Sequence, residues 1–213
     1  MHNNVLYEPL PTAWNGYEVN TWFQIGVQMA ELFEDDEVSS EDRMAYLIGL
    51  LFSDEDGRLR KYPTEPEELE QLLEWFFNGW NHDNKCEESS GGRFMDYYVD
   101  QGRIYADFMH IYHIDLQESD MHWWQFCWLL WNMPNELSSF KQVIEIRTKK
   151  PREHASQEER NTIYAGQKIY GLEQKVEYTE EEEKAIDSYD EMMRKIKERK
   201  RAEAEALQEF RNR

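Results

Sequence analysis

Cysteine is almost missing from this chain, with two in 213 residues, Cys86 and Cys127. Neither stands in a CxxC or CxxH spacing, which removes a disulfide framework and the usual zinc modules and points to a reducing compartment. Long apolar runs are missing as well. Nothing approaches the roughly 18 consecutive apolar residues of a membrane span, and Met1 to Pro11 has no basic start followed by an apolar stretch, so neither embedding nor export is expected. Positive charge is scarce, with 24 Lys and Arg against 44 Asp and Glu and a net charge of -20. Proteins that follow nucleic-acid backbones gain affinity by neutralising phosphates, and an anionic membrane surface would repel such a chain. Neither partner is therefore expected. The phosphate and nucleophile motifs GxxxxGK[ST], GxGxxG and GxSxG are also absent.

Aromatic residues are abundant, at 14% of the chain with eight Trp and twelve Tyr. A chain so rich in burying material folds, and the acid excess keeps its exterior soluble. The spacing predicts a mainly α fold, a compact multi-helix body with a small N-terminal β-hairpin and a long C-terminal helix. Asn15-Gly16 between Trp14 and Tyr17 is the hairpin signal, because both turn positions tolerate positive φ. Helical spacing then starts at Thr21 and carries Phe23, Val27 and Ala30. A second helix follows Ser39 or Ser40 as cap, with Met44, Leu47, Ile48, Leu51 and Phe52 on one side. Thr64, Glu65, Pro66 and Glu67 form a capping signature ahead of Leu69, Leu72, Leu73, Phe76, Phe77 and Trp80.

A polar, glycine-containing stretch at about 81–95 predicts a mobile loop between two helical halves. The second half carries Ile104, Tyr105, Phe108, Met109 and Tyr112 on one helical side. A helix from Met121 to Trp131, capped by Ser119 or Asp120, is apolar around most of its circumference and belongs in the middle of the body. Leu137, Phe140, Val143, Ile144 and Arg147 mark another helix, and Ser156 caps a last one bearing Ile163, Tyr164, Ile169 and Tyr170. The organisation read from this pattern is a hairpin unit at 1–20 packed on the body, a helical body at 21–172 and a helical arm at 173–213. From Thr179 onward no Gly or Pro intervenes, so a helix of some 34 residues, about 50 Å long, can form. Tyr189, Met192, Met193 and Ile196 are its candidate partner-binding side chains. The candidate scaffold core is Trp75, Phe76, Tyr105, Phe108, Trp123, Trp124, Phe126 and Trp128.

Chemistry is harder to find. His110 and His113, with Asp107 one turn earlier, do not converge as metal ligands on a helix do, and no third strong ligand follows from the pattern. Asp54, Glu55, Asp56 and Gly57 invite a calcium loop, but the glycine comes at the fourth position instead of the sixth and Arg58 takes a ligand place, so a turn is expected. No catalytic, cofactor or metal residue is assigned, and the expectation is a protein that is not an enzyme and holds no cofactor.

One resemblance spans most of the chain. The run Asp100-Gln-Gly-Arg-Ile104-Tyr105-Ala106-Asp107-Phe108, then Tyr112 to Leu116, then His122-Trp123-Trp124-Gln125-Phe126, and Phe140 with Ile144 to Arg147 resemble the bacteriophage gene-product-15 family. Gly16 to Asn20, Leu73 to Phe76 with Gly79, and Tyr164 to Tyr170 extend the likeness in order over about residues 5–172. The family is encoded in tail-morphogenesis cassettes of siphophages and prophages of Gram-positive bacteria. The resemblance implies a tail-assembly chaperone that coats the tape-measure protein and gives way to tail-tube subunits. Its partners would be the tape-measure protein and the tail-tube protein, with self-association left open. It would act in the bacterial host cytoplasm and be absent from the mature virion. A structural component of the tail or tail tip is the alternative.

Overall fold

The computed structural model describes residues 5–80 and 93–172. All of them lie in one compact unit that ends at Leu172. The expected arm at 173–213, with Tyr189, Met192, Met193 and Ile196, lies outside the described residues, as does most of the loop expected at about 81–95.

The fold is mainly helical with a small hairpin at its start. Strands β1 (Ala13–Trp14) and β2 (Tyr17–Glu18) pair antiparallel, with Trp14 opposite Tyr17. Asn15 and Gly16 turn between them at φ of 45° and 83°, both in the left-handed region that this tight turn demands. Seven α-helices follow among the described residues: α1 (Phe23–Glu34), α2 (Ser40–Phe52), α3 (Pro66–Asn78), α4 (Tyr97–Asp107), α5 (Trp123–Trp131), α6 (Ser139–Thr148) and α7 (Gln157–Tyr170). A π turn at Phe108–Tyr112 continues α4 and ends at His113, whose φ is 56°.

Caps explain most of the boundaries. Ser39 Oγ accepts from Asp42 N at 3.1 Å and Ser156 Oγ from Glu159 N at 3.1 Å, each satisfying a first-turn donor that no helical carbonyl can reach. Two starts differ from the sequence expectation. Thr64 does not cap α3; Pro66 is its first residue, so the cap position falls on Glu65, whose side chain makes no capping bond. Likewise α5 does not begin at Met121 under Ser119 or Asp120. A short antiparallel bridge between Trp22 and His122 keeps that segment extended, Trp123 N donating to Thr21 O at 2.6 Å. The helix starts only after His122, whose Nδ1 accepts from Trp124 N at 3.0 Å.

Helix α5 runs through the middle. Trp123, Trp124, Phe126, Cys127 and Leu130 are all buried, leaving Gln125 as its exposed side. Two glycines make this possible. A methyl group on Gly26 of α1 would overlap the Trp123 ring, and one on Gly79, just past α3, would overlap the Trp124 ring. Each tryptophan therefore lies directly on a neighbouring backbone. Rings from four elements pile up around them: Phe108 on Phe126 (5.1 Å, 6°), Phe126 on Phe23 (5.0 Å, 17°) and on Trp123 (5.7 Å, 20°), and Trp123 on Phe76 (6.1 Å, 10°). Two of the indole N–H groups find carbonyls, Trp124 Nε1 donating to Phe76 O at 2.9 Å and Trp128 Nε1 to Trp80 O at 2.7 Å, whereas Trp123 Nε1 is buried without a partner among the described residues.

Candidate functional site: an apolar groove along α1 and α4

Of the eight scaffold residues named from the sequence, Phe76, Phe108, Trp123, Trp124 and Phe126 are buried. Trp75, Tyr105 and Trp128 are partly exposed and pack against that core. Trp75 meets Trp124 edge to face at 5.2 Å.

Two buried carboxylates that the sequence reading left without a role hold the second half in place. Asp100 is fully buried on α4, and Arg147 on α6 grips it with Nη1 at 2.6 Å and Nη2 at 3.0 Å. Arg103 Nη1 adds a third contact at 3.2 Å. Arg147 also donates to Phe94 O at 3.2 Å and, through Nε, to Tyr170 O at 2.6 Å, so one guanidinium ties α4, α6, α7 and the segment before α4. Asp107, about two helical turns further on, accepts from Ser138 Oγ (2.7 Å), Ser139 Oγ (2.9 Å), Ser139 N (3.1 Å) and Phe140 N (2.9 Å). A carboxylate against the free N–H groups of α6 is favoured by both hydrogen bonding and the helix dipole. The signal was present in the sequence: Asp100 and Asp107 share the helical side of Ile104 and Phe108, and acid on an apolar side announces a buried partner.

The residues weighed as metal ligands do not converge. Asp107 is committed to α6, while His110 and His113 are exposed beyond it. Asp54 closes a turn, its Oδ1 accepting from Asp56 N at 3.0 Å and Arg58 N at 2.8 Å. No cluster of three or more His, Cys, Asp or Glu that could hold a metal ion occurs among the described residues. Burial raises the Cys127 thiol far above its ordinary range, which keeps it protonated and unreactive. No helix among the described residues is long and apolar enough to cross a membrane.

What the described surface does offer is an open apolar groove of about 550 Å³. Phe23 and Phe126 form its floor, Val27 of α1 one wall, Ile104 and Tyr105 of α4 the other, and Leu116 closes one end. Gly102 also lines it, and a Cβ built there meets nothing within 4 Å, so the wall is open at that point. Its polar lining includes the neutral amides of Gln101 and Gln117 and that of Gln24, whose Nε2 donates to Ser119 O at 3.2 Å and whose Oε1 is buried without a partner among the described residues. Tyr105 is fixed across the end by donating its hydroxyl to Asp115 Oδ1 at 3.1 Å, which with burial and the nearby Glu118 raises the phenol above its ordinary value. Such a lining has no nucleophile, no paired acid and base and no anion cradle. It can bury apolar side chains.

Fold and groove together define a mainly helical protein that carries an open apolar groove on its described surface. The chain belongs to the family described as Bacteriophage Gp15 protein, whose model matches residues 6–172. That span takes in every described element, including both partners of the Asp100–Arg147 pair. Comparison with curated proteins and with solved structures found no match.

Proposed function

We propose that this phage protein is a tail-assembly chaperone that binds helical segments of the tape-measure protein and is released as the tail tube polymerises. The observation that carries this reading is the open groove between α1 and α4, apolar along its floor and free of charged lining residues. A groove of this kind receives the apolar side of an amphipathic helix at i, i+3, i+4 and i+7. A tape-measure chain exposes long stretches of such helix before the tube encloses it, and these aggregate unless covered. The net charge of -20 keeps the complex soluble and lets binding stay reversible. The work is binding, with no turnover, and its place is the host cytoplasm during assembly.

Co-expression tests it. The tape-measure protein encoded with this chain should move from the insoluble to the soluble fraction when the chain is present, and the chain should be absent from purified virions by mass spectrometry. An unchanged soluble fraction, or stoichiometric retention in virions, overturns the proposal; retention would mark a structural tail component instead.

A further inference from the structure

The seam between α1 and α4 continues past Val27. Beyond Val27 on α1 come Glu31 after one turn and Glu34 after two, with Asp35 just past the helix end, and at the start of α4 stand Tyr98 and its cap Asp96; these line a second depression, with Arg93 as its one cation. Arg93 is bonded to both Glu34 and Asp96, which leaves the cluster of four carboxylates and one guanidinium net negative. Glu31 registers that potential: burial, Asp96 and Glu34 all raise its carboxyl above the ordinary value. The opposite end of the groove is acidic too, where Asp115 and Glu118 stand beside Tyr105. The α1–α4 seam therefore carries an apolar trough lined by no Lys or Arg, with carboxylates beyond both its ends.

We infer that this seam is built for a basic amphipathic helix of a partner protein, about three turns long, with an apolar strip facing the trough and Lys or Arg flanking that strip at both ends. The length follows from α1, whose 12 residues span about 18 Å. The charge follows from complementarity, since an acidic helix would set like charges against the carboxylates at either end, which opposes binding, and a neutral one would gain nothing from them. Gly102 sets the depth. Without a side chain there, the incoming helix reaches the backbone of α4. The inference rests on the groove being the binding surface proposed above and adds the chemistry of what enters it.

The test uses the full chain and two synthetic helical peptides of about 14 residues with the same leucine strip, one flanked by Lys and Arg and the other by Glu. Fluorescence anisotropy should show binding of the basic peptide only, weakened by added salt as exposed charges are screened. Gly102→Leu adds bulk to the trough at a point where the new Cβ meets nothing within 4 Å, and leucine is the better helix former, so the variant is expected to stay folded by circular dichroism. It should weaken the basic peptide by about tenfold or more. Glu31→Lys should weaken it several-fold and leave an apolar, uncharged peptide unaffected. A photo-cross-linker at Gln101 should capture the added peptide.

Equal binding of both peptides, or basic-peptide binding unaffected by Gly102→Leu, overturns the inference. So does a cross-link from Gln101 to a second copy or to the chain's own residues 173–213. These outcomes leave the tape-measure proposal standing, because that proposal is decided by the solubility of the tape-measure protein and by virion content, whichever surface is responsible.

Discussion

Asp100 and Arg147, 47 positions apart, meet in a two-pronged ion pair at 2.6 and 3.0 Å, with the carboxylate wholly buried and the arginine side chain 5% exposed. A buried charge of this kind is tolerated only because its partner is fixed opposite it. Arg147→Met leaves Asp100 with only Arg103 and the Asp96 N–H and should cost about 3–5 kcal/mol in urea denaturation. Asp100→Asn combined with Arg147→Met should recover part of that loss, since no orphaned charge remains. Simple additivity of the two single variants would mean that the pair contributes nothing as a unit.

His122 gives the fold a pH dependence whose sign is fixed by geometry. Its Nδ1 accepts from Trp124 N, and its Nε2 lies 3.0 Å from Pro11 O, so the capping ring is neutral with the proton on Nε2. Burial lowers its pKa from the ordinary 6.5, partly opposed by the Pro11 bond. The unfolded chain thus binds this proton more readily than the folded one, so the stabilisation is complete above about pH 6.5 and is lost as pH falls through that value toward the folded pKa. His122→Asn keeps a capping oxygen without a titrating ring. The fall in urea midpoint between about pH 7.5 and pH 5 should be smaller in the variant than in the parent; an equal fall would show that His122 contributes nothing to it.

Two glycines on neighbouring helices should respond in opposite directions. Gly26→Ala forces a methyl group into the Trp123 ring and should destabilise by about 1–3 kcal/mol. Gly49→Ala meets nothing within 4 Å and should stabilise α2 by roughly 0.5–1 kcal/mol. Thermal melts of the two variants check this, and loss of stability in both would mean that the space around Gly49 is not available in solution.

The parts of this fold that the sequence made legible are those written in neighbouring residues. Asn15-Gly16 announced the hairpin, Ser39 and Ser156 the starts of α2 and α7, and the Leu69 to Phe77 spacing the buried side of α3. What escaped depends on residues far apart in the chain. His122 caps α5 because the Trp22 bridge carries the extended segment two residues past the expected start. The π turn after Asp107 leaves Met109 and His110 exposed where even helical spacing had put Met109 beside Phe108. The groove is a gap between α1 and α4, which are more than sixty positions apart in sequence, and a gap has no motif. Asp100 and Arg147 were each visible within the family pattern, yet nothing local to either one names the other.

Phe126 belongs both to the floor of the groove and to the pile of near-parallel rings that runs from Phe108 to Trp123 and Phe76. Stacked chromophores held this rigidly are optically coupled, and their dichroic bands in the near ultraviolet depend on ring separation and tilt. Anything that settles onto Phe126 must therefore perturb an absorption signal the molecule already carries, so occupancy can be followed spectroscopically on the unlabelled chain with a ligand that contains no aromatic residue.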